Sequence, residues 1–478
     1  MSLKKESAMQ IIEEQKEKLC AINDAIWDHP ETGYHEKFAA KMYCDALAEE
    51  GFEVCTELAG IETAFSGSFG SGHPVIGILA EFDALPGLSQ TANVTYKEPV
   101  VQGGAGHGCG HNLLGVGSFA AALAVKRYLQ ENNLPGTVTL FGCPAEEGGA
   151  GKGFMAREGV FDKLDAALSW HPGEVNSVSL ESTVANYQVA YHFYGVSSHA
   201  AMSPELGRSA LDAVELMNTG VQYLREHIPT DNRVHYAIVD TGGNAPGTVQ
   251  PYAQVLYLMR APNLKSAKEL YERVDRIAQG AAMMTDTKVE AEFVKACSNM
   301  VLNTELLKTL QKNLELFSPP VWDAEDIAQA EKIRKTFSST YSYYNTLVAD
   351  IEDEKLRLEF EKGASAPLHQ EVLPFLKERQ GFASSDVGDV SCVCPVAQLN
   401  ITTMPAGTPM HSWQEVSLGK SPMAHKGLLY AGTVIAATAI DLINNPDIVH
   451  RAKEEHKKRT GGEKFVSPIP KGVKPRIV

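Results

Sequence analysis

Three side chains that can bind a metal ion lie within one short, glycine-rich stretch of the chain. The stretch Gly106–Asn112 reads GHGCGHN and contributes the thiol of Cys109 and the imidazoles of His107 and His111. Glycine lets the backbone approach a small charged group closely, and thiolate with imidazole is a ligand set for divalent transition metals. A cysteine and a histidine alone do not hold a metal ion. The sequence therefore predicts that other segments supply the remaining ligands.

Further candidate ligands follow apolar runs elsewhere in the chain. They are Asp83, Glu146, Glu147, His171 and, in a glycine-containing turn, His411. The apolar runs are typical of strands buried on both faces, and they alternate with an apolar helical segment, which indicates an α/β layered sheet. Because ligands in such sheets bind outside the carboxyl ends of the strands, we expect these side chains to lie at one site.

The candidate set is larger than one metal ion needs. A single tetrahedral zinc ion takes four ligands. The chain offers a thiolate, several imidazoles and a vicinal carboxylate pair, Glu146 and Glu147. This surplus favours a site for two metal ions in which one carboxylate is left over as a base. Asp83 is predicted to orient a ligating histidine from outside the ligand set.

Two other interpretations of the same residues stay open at this point. Isolated histidines such as His171 and His411 often form structural hydrogen bonds, and a Glu-Glu pair is often part of a solvated loop. Cys109 could also be a nucleophile activated by a histidine, as in a cysteine hydrolase. That interpretation does not explain why Glu146 and Glu147 are both present, and it predicts inactivation by thiol alkylation but not by chelation.

The composition favours a small-molecule partner. The chain of 478 residues has a formal net charge of −16 and a sequence pI of about 5.4. Such a charge disfavours nucleic acid or an anionic membrane as the main partner, since both attract clustered Lys and Arg. No apolar run long enough to span a bilayer is evident, and the first residues are too charged for a secretory signal. The eight cysteines are scattered singly, which predicts reduced thiols and a cytoplasmic protein.

The length of the chain and a change of pattern near residue 185 predict two domains. After that point, alternating strands and amphipathic helices follow the order β, α, β, β, α, β, which fits a ferredoxin-like α+β unit whose open sheet edge dimerisation would cover. The expected fold is an α/β catalytic domain, with a mixed central sheet between helices, that carries this unit as an insert. The predicted segments are 1–184 and 299–450 for the catalytic domain, 185–298 for the inserted dimerisation domain and 451–478 for a basic C-terminal tail.

The order of several motifs resembles that of a known enzyme family. The chain carries, in order, GHGCGHN, PAEEGG, WHPG, GVSSHAAMSP and GTPMHS. This set is similar to that of the metal-dependent aminoacylase and amidohydrolase family of zinc-type peptidases, which includes carboxypeptidase G, hippurate hydrolase and the auxin-conjugate amidohydrolases. LAEFDALPGLSQ, AREGVF and PMAHKG resemble the branch that acts on p-aminobenzoyl-glutamate. The similarity covers nearly the whole chain and implies a two-metal, aminopeptidase-like catalytic domain.

The resemblance implies a role for each candidate residue of the catalytic domain. Cys109 would bridge two divalent ions. The other ligands would be His111, Glu147, His171 and His411. Glu146 would be the general base, and Asp83 would be the carboxylate that supports a ligand. The two ions in each chain would be Mn2+ or Zn2+, since the resemblance favours manganese and the affinity of thiolate and imidazole favours zinc.

The resemblance also implies positions that contact the substrate. His199, in the inserted domain, would reach the active site of the partner subunit, and Arg260 would bind a carboxylate of the substrate. At two candidate substrate-binding positions the chain departs from the family pattern. Family members commonly carry an aspartate where this chain has Asn112, and Gly247 replaces an asparagine that helps to hold the substrate carboxylate. Recognition of that carboxylate would therefore fall mainly to Arg260.

Together, the residues and the resemblance predict a metal-dependent amidohydrolase that cleaves p-aminobenzoyl-glutamate to p-aminobenzoate and glutamate. A metal-activated water would attack the amide carbonyl, with Glu146 as the base. The chain is expected to form a homodimer through the inserted domain, or a heteromer with a related A subunit. The alternatives are hydrolysis of another N-acyl amino acid or of a dipeptide, and a subunit that needs a related partner chain for activity.

Overall fold

The computed structural model describes residues 3–338 and 342–476. Its helices are α1 (Leu3–Glu14), α2 (Lys16–Asp28), α3 (Lys37–Glu49), α4 (His111–Asn132), α5 (Gly151–Arg157), α6 (Ala210–Arg225), α7 (Leu264–Met284), α8 (Thr304–Leu316), α9 (Ala324–Arg334), α10 (Tyr343–Ala349), α11 (Glu354–Glu361), α12 (Val387–Val393), α13 (Trp413–Leu418), α14 (Pro422–Asn444) and α15 (Pro446–Arg459). Its strands are β1 (Glu53–Thr56), β2 (Phe65–Ser71), β3 (Val75–Glu81), β4 (Gly136–Cys143), β5 (Ala166–Gly173), β6 (Ser177–Val178), β7 (Glu181–Ser182), β8 (Ala185–Tyr194), β9 (Arg233–Asp240), β10 (Tyr252–Ala261), β11 (Lys288–Cys297), β12 (Arg379–Gln380) and β13 (Val396–Thr402).

The chain divides into two compact units. The first unit extends to Glu181 and includes Val301–Arg379 and Val390–Phe465. The second unit comprises Ser182–Met300 and Gln380–Asp389, together with the chain from Val466. Each unit has its own sheet, so the two are described separately.

A seven-stranded mixed sheet forms the centre of the first unit, with the strand order β1-β2-β4-β3-β5-β13-β6. The central strands are parallel, because β3 pairs in parallel with β4 and β5, and β13 pairs in parallel with β5. The outer strands β1, β2 and β6 pair antiparallel with their neighbours. Central parallel strands covered on both faces account for the continuous apolar runs in the sequence. The prediction of a mixed central sheet between helices is confirmed.

Two long apolar helices, α4 and α14, pack on this sheet and on each other. α4 contacts β3, β4 and β5, and α14 contacts β5 and β13. Contrary to the expectation from the sequence, α14 is long and apolar enough to cross a membrane by length and composition, but most of it is buried inside the protein. A helix that is apolar on all sides is typical of the core of a large domain.

A glycine in the first half of α4 allows the helix to approach the sheet closely. A Cβ atom at Gly117 would lie 2.7 Å from the indole ring of Trp170. That ring is fully buried and donates its N–H to the carbonyl oxygen of Leu114 at 2.9 Å. Trp170 immediately precedes His171, and α4 begins at His111. The close contact at Gly117 therefore sets the spacing between the two elements that carry these histidines.

We expect Gly117→Ala to destabilise the chain by about 1–3 kcal/mol, because the added methyl group overpacks a site whose neighbour is a rigid, buried ring. The matched control is Gly280→Ala in α7, where an added Cβ meets nothing within 4 Å. There the better helix propensity of alanine should increase stability by up to about 1 kcal/mol. Thermal unfolding of both variants beside the wild type measures the effects, and equal shifts in the two variants would contradict the packing argument.

The second unit contains a four-stranded antiparallel sheet with the strand order β11-β8-β10-β9. The helices α6 and α7 pack on this sheet and on each other. Each begins at a side-chain cap, since Ser209 accepts a hydrogen bond from the backbone of Asp212 and Asn263 accepts one from that of Ser266. The elements follow the predicted order β, α, β, β, α, β. The role of this unit in dimerisation stays a prediction.

The end of the chain differs from the predicted loose tail. The predicted boundary at residue 451 falls inside α15, which extends from Pro446 to Arg459. The helix is held in place because Asn303, the N-cap of α8, donates from its side-chain amide to the carbonyl oxygen of Ala452 at 2.8 Å. The basic composition predicted a tail here, but Val449 and Ala452 of the helix are buried.

Candidate metal centre

The candidate ligands come from separate segments of the first unit. The structure places Cys109 and His111 at the start of α4, Glu146 and Glu147 between β4 and α5, His171 in β5, and His411 before α13. β4 and β5 flank β3 in the sheet, and α4 packs on all three strands. Residues that are far apart in the sequence therefore meet near the carboxyl ends of these parallel strands.

Ligand atoms of these residues lie within 4.8 Å of one another in three groups. The groups are Cys109 with His111 and His171, Cys109 with Glu147 and His411, and Glu81 with His111 and Glu146. The Cys109 sulfur lies 3.4 Å from Nε2 of His171, and Nε2 of His411 lies 3.1 Å from Oε1 of Glu147. Because Cys109 belongs to two of the groups, its thiolate is placed where one ligand could serve two ions.

Asp83 connects two of the candidate ligands. Its Oδ1 lies 2.9 Å from Nδ1 of His111, and its Oδ2 accepts the backbone N–H of Glu147 at 2.8 Å. The first contact fixes the imidazole so that Nε2 faces the other ligands, as expected for a carboxylate that orients a metal-binding histidine. The second contact fixes the loop that carries Glu146 and Glu147.

The loop with the two glutamates has a strained backbone that a second acid supports. Ala145 and Ala150 have φ values of 57°, in the left-handed region that alanine rarely adopts. The backbone N–H of Ala145 donates to the carboxylate of Glu36 at 2.8 Å, and the hydroxyl of Tyr34 donates to the carbonyl oxygen of Gly149 at 2.7 Å. The segment between α2 and α3 therefore holds the loop of Glu146 and Glu147 in its unusual conformation.

The loop that carries His411 is tied to the loop that carries Cys109. The backbone N–H of His411, whose φ is 52°, donates to the carbonyl oxygen of Gly108 at 3.0 Å and to a carboxylate oxygen of Glu415 at 3.0 Å. The Glu415 side chain is buried, and its other oxygen has no hydrogen-bond partner. Burial raises the pKa of Glu415 to about 8.

Glu174 links the end of β5 to two other segments. Its carboxylate accepts hydrogen bonds from the hydroxyl of Ser342 at 2.9 Å, from the backbone N–H of Tyr344 at 2.8 Å and from the backbone N–H of Gly407. Glu174 lies three positions after His171, and Gly407 lies four positions before His411. This acid therefore fixes the spacing of the two histidine segments and anchors α10 beside them.

A fully buried ion pair lies next to His111. The Lys152 ammonium is 2.7 Å from Oε1 of Glu81, while Oε2 of Glu81 is 3.3 Å from Nε2 of His111. Burial favours the neutral form of Glu81, but the charge and hydrogen bond of Lys152, together with the charges of His111 and His171, outweigh burial and lower the pKa of this acid. Lys152 thus keeps a carboxylate ionised within reach of the candidate ligands.

The charges of the ligands depend on one another. Burial opposes the charge on His111, but the Cys109 thiol and the Asp83 carboxylate outweigh it and raise the pKa of this histidine. Burial likewise favours the neutral form of Glu147, but contact with His411 and the nearby His111 lower its pKa to about 2. Burial raises the pKa of the Cys109 thiol well above its usual value.

The residues present fit divalent transition metals. Nε2 of His111 and Oε1 of Glu147 are buried, and each makes only an ion-pair contact without good hydrogen-bond geometry, to Glu81 at 3.3 Å and to His411 at 3.1 Å. Such unsatisfied buried atoms are costly unless a ligand satisfies them. A thiol, three imidazoles and a carboxylate form a donor set suited to divalent transition metals. The structure thus brings the predicted ligands together, and their binding of metal stays a prediction.

The predicted substrate contacts in the second unit have the following local environments. Nδ1 of His199 accepts the backbone N–H groups of Ala201 and Met202, at 3.2 and 3.1 Å. The guanidinium of Arg260 donates to the hydroxyl of Ser384 at 2.9 Å. A Cβ atom at Gly247 would meet nothing within 4 Å, so there is room for a side chain there.

Asn112 lies in a buried polar network of the first unit. It is fully buried, and its side-chain amide donates to Oδ1 of Asn23 at 2.8 Å and to the carbonyl oxygen of Gly419 at 3.0 Å. In this arrangement Asn112 anchors the start of α4 to α2 and to the end of α13. Its predicted contact with a substrate stays a prediction.

Sequence reasoning missed four buried charged residues around the site. They are Glu36, Lys152, Glu174 and Glu415. Glu174 stands in the same WHPGE run as His171, and Glu415 follows His411 by one helical turn. Their spacing from candidate ligands was an available signal. Glu36 and Lys152 gave no comparable signal, because charged residues at such positions are usually solvated.

The amino-acid sequence is similar to those of known proteins. Residues 77–339 match the model of peptidase family M20/M25/M40. The chain is 45% identical over 467 residues to the B subunit of p-aminobenzoyl-glutamate hydrolase from Escherichia coli, and the match covers 97% of each chain.

Solved structures show the same fold. A putative aminohydrolase of methicillin-resistant Staphylococcus aureus aligns with a TM-score of 0.61 at 16% identity, over 92% of this chain and 99% of the other. A dinuclear metal-binding peptidase of Bacillus subtilis aligns with a TM-score of 0.56 at 15% identity, over 90% of this chain and 99% of the other.

We expect Asp83→Ala to weaken metal binding by about 10–100-fold, because His111 would lose its orientation and the Glu147 backbone its acceptor. Asp83→Asn keeps the shape and tests whether the charge is needed. The control is Asp28→Ala at the end of α2, which removes an ion pair with Lys420. Titration of the metal-free proteins with Mn2+ and Zn2+, read by calorimetry, measures the effect. Wild-type affinity in the folded Asp83→Ala protein would show that Asp83 does not support the ligands.

Proposed function

The chain belongs to peptidase family M20/M25/M40, and we propose that within this family it hydrolyses p-aminobenzoyl-glutamate to p-aminobenzoate and glutamate. It is a metal-dependent amidohydrolase. The proposed substrate is supported by the relative that bears this substrate in its name, which matches nearly the full length of both chains.

The observation that carries the proposed chemistry is the cluster of candidate ligands next to a second carboxylate on the same loop. Two adjacent glutamates enter the site from this loop, and Glu147 lies against His411 while Glu146 groups with His111 and Glu81. One glutamate can therefore bind metal while its neighbour accepts a proton. The strained loop that Glu36 supports holds the two glutamates in these different positions.

Two divalent ions would be held by Cys109, His111, Glu147, His171 and His411. Such ions lower the pKa of a water molecule towards neutrality and polarise the amide carbonyl. Both manganese and zinc suit the donor set. Asp83 holds His111 with Nε2 towards the site, and Cys109 would bind as a thiolate.

The proton transfers fall to Glu146. It accepts a proton as water attacks the carbonyl carbon of the amide, and it then donates that proton to the departing amine nitrogen as the C–N bond breaks. His199 of the partner subunit stabilises the negative charge on the carbonyl oxygen. Arg260 binds a carboxylate of the glutamate portion through charge-assisted hydrogen bonds.

The proposed assembly is a homodimer through the second unit or a heteromer with a related A subunit. The edge strand β9 is largely exposed and carries apolar side chains, with Ile238 42% and Val239 51% exposed. An exposed, apolar edge strand pairs readily with another chain. The relative's name as one subunit of a hydrolase favours the heteromer, since a subunit implies a partner.

Two alternatives are a different amide substrate and a cysteine hydrolase, and a separate observation bears on each. Room for a side chain at Gly247 favours a different N-acyl amino acid or a dipeptide as substrate, because a family contact to the carboxylate is missing there. A cysteine hydrolase is excluded by membership of a metal-dependent family, and the thiol of Cys109 lies among candidate metal ligands.

We expect Glu146→Gln to lower kcat by about 10²–10⁴-fold, because the amide cannot accept the proton from water. The variant should keep its metal content, since the ligands are unchanged. Glu158→Gln, which alters an exposed ion pair with Arg157, is the matched control and should retain activity. Steady-state kinetics and elemental analysis of the same preparations measure both properties. Wild-type turnover by the glutamine variant would exclude Glu146 as the base.

The isolated chain should hydrolyse p-aminobenzoyl-glutamate with about two divalent ions bound per chain, as the two-metal chemistry requires. Removal of metal by a chelator should abolish release of p-aminobenzoate, and Mn2+ or Zn2+ should restore it. An assay with and without an A-type partner chain separates the homodimer from the heteromer. Less than one ion per chain, with activity unaffected by chelation, would refute the two-metal proposal.

A further inference from the structure

We propose that the second unit carries a carboxylate subsite centred on Arg233, beside Arg260, which selects amide substrates whose amine portion carries two carboxylates. This inference rests on the proposed function and deepens it. Arg260 is the position expected for one substrate carboxylate, and Arg233 supplies the recognition of a second.

The two arginines are direct neighbours across an antiparallel ladder. Arg260 in β10 pairs with Arg233 in β9, and Leu258 pairs with His235. Directly opposed residues point to the same face of a sheet with their Cβ atoms about 4.5–5.5 Å apart. Since side chains alternate along a strand, His235 lies on that face as well. One face of the β9–β10 pair therefore presents three basic side chains.

The electrostatic environment shows that positive charge converges on this face. Burial lowers the pKa of His235, and the neighbouring charges of Arg260, Arg225 and Arg233 lower it further. Burial also lowers the pKa of Arg260. The charged form of each group is therefore disfavoured by its surroundings, and for His235 the nearby cations are part of the cause.

No carboxylate neutralises the two arginines within residues 3–338 and 342–476. Arg260 donates to the Ser384 hydroxyl, and Arg233 donates to the carbonyl oxygens of Thr230 and Asn232. All of these acceptors are uncharged. The chain has 59 acidic residues against 43 Lys and Arg, so unpaired arginines facing each other are not a consequence of a basic composition.

An anion between the arginines would remove an unfavourable arrangement. Like charges directly opposite in a sheet are destabilising. Each guanidinium still has donors that its backbone or hydroxyl acceptor does not use, and guanidinium pairs with carboxylate in a two-point geometry. The exposed ring of Phe382 has its centroid 5.5 Å from the Arg233 guanidinium, within the range of a cation–π contact.

Arg233 supplies a donor that carries a full charge, and a side-chain carboxylate benefits from such a donor more than a neutral side chain does.

The test compares two substrates that differ only in one charge, p-aminobenzoyl-glutamate and p-aminobenzoyl-glutamine. For Arg233→Gln, we expect kcat/KM for the glutamate substrate to fall about 10–100-fold through a higher KM, since a charge-assisted contact is lost. The value for the glutamine substrate should stay within about twofold. Arg233→Lys should recover part of the loss.

Arg273→Gln is the matched control, because Arg273 lies in the same unit and also donates to a backbone carbonyl, that of His227. It should leave both substrates unaffected. Thermal unfolding confirms that each variant is folded. If Arg233→Gln affects the two substrates equally, or neither of them, the carboxylate subsite is refuted while the proposed hydrolysis stands.

Binding measured without turnover separates the two proposals. Calorimetry with N-acetyl-glutamate and N-acetyl-glutamine should show tighter binding of the glutamate compound to the wild type and no preference in Arg233→Gln. If the wild type shows this preference but hydrolyses neither p-aminobenzoyl compound, the subsite holds and the proposed function fails. If the wild type binds both compounds equally, the subsite is refuted.

Discussion

The buried carboxylate of Asp83 is the contact on which the geometry of the metal centre depends. One oxygen faces the ring of His111, at the start of α4, and the other accepts the backbone N–H of Glu147, beyond β4. Burying a carboxylate costs free energy unless its oxygens accept hydrogen bonds. The two contacts therefore stabilise Asp83 and at the same time fix a helix relative to a loop. Only an acid at this position can satisfy both donors at once.

Other buried acids repeat this arrangement around the centre and limit its charge. Glu36 holds the loop of Ala145, and Glu174 holds the segments of His171 and His411. Burial and the nearby Asp83 charge raise the pKa of Glu36 to about 8, so near neutrality it supports the loop largely without adding charge. Glu81 is ionised but balanced by Lys152. The negative charge available to cations is thus concentrated on the candidate ligands.

The sequence predicted the parts of the site that depend on residue type and position along strands. GHGCGHN, the Glu146–Glu147 pair and the histidines after apolar runs were found because metal chemistry uses few residue types and sheets collect them at strand ends. Glu36 and Lys152 could not be found in this way, because their importance comes from burial, which depends on packing by distant segments. The extent of α15 was missed for the same reason, since its anchor is Asn303, far away in the chain.

Two features of the second unit, Gly247 and the opposed arginines of β9 and β10, differ in what they offer a ligand. Gly247 has neither a positive φ nor a crowded Cβ position, so its backbone does not require glycine. Its main effect is space without a hydrogen-bond donor. The opposed arginines of β9 and β10 have the reverse effect, because they add charge that the protein itself does not neutralise within its described residues. Two arginines that lie on one face without a carboxylate partner suit an amine portion that carries two carboxylates. A dipeptide with a small neutral side chain would leave one of the two arginines unpaired.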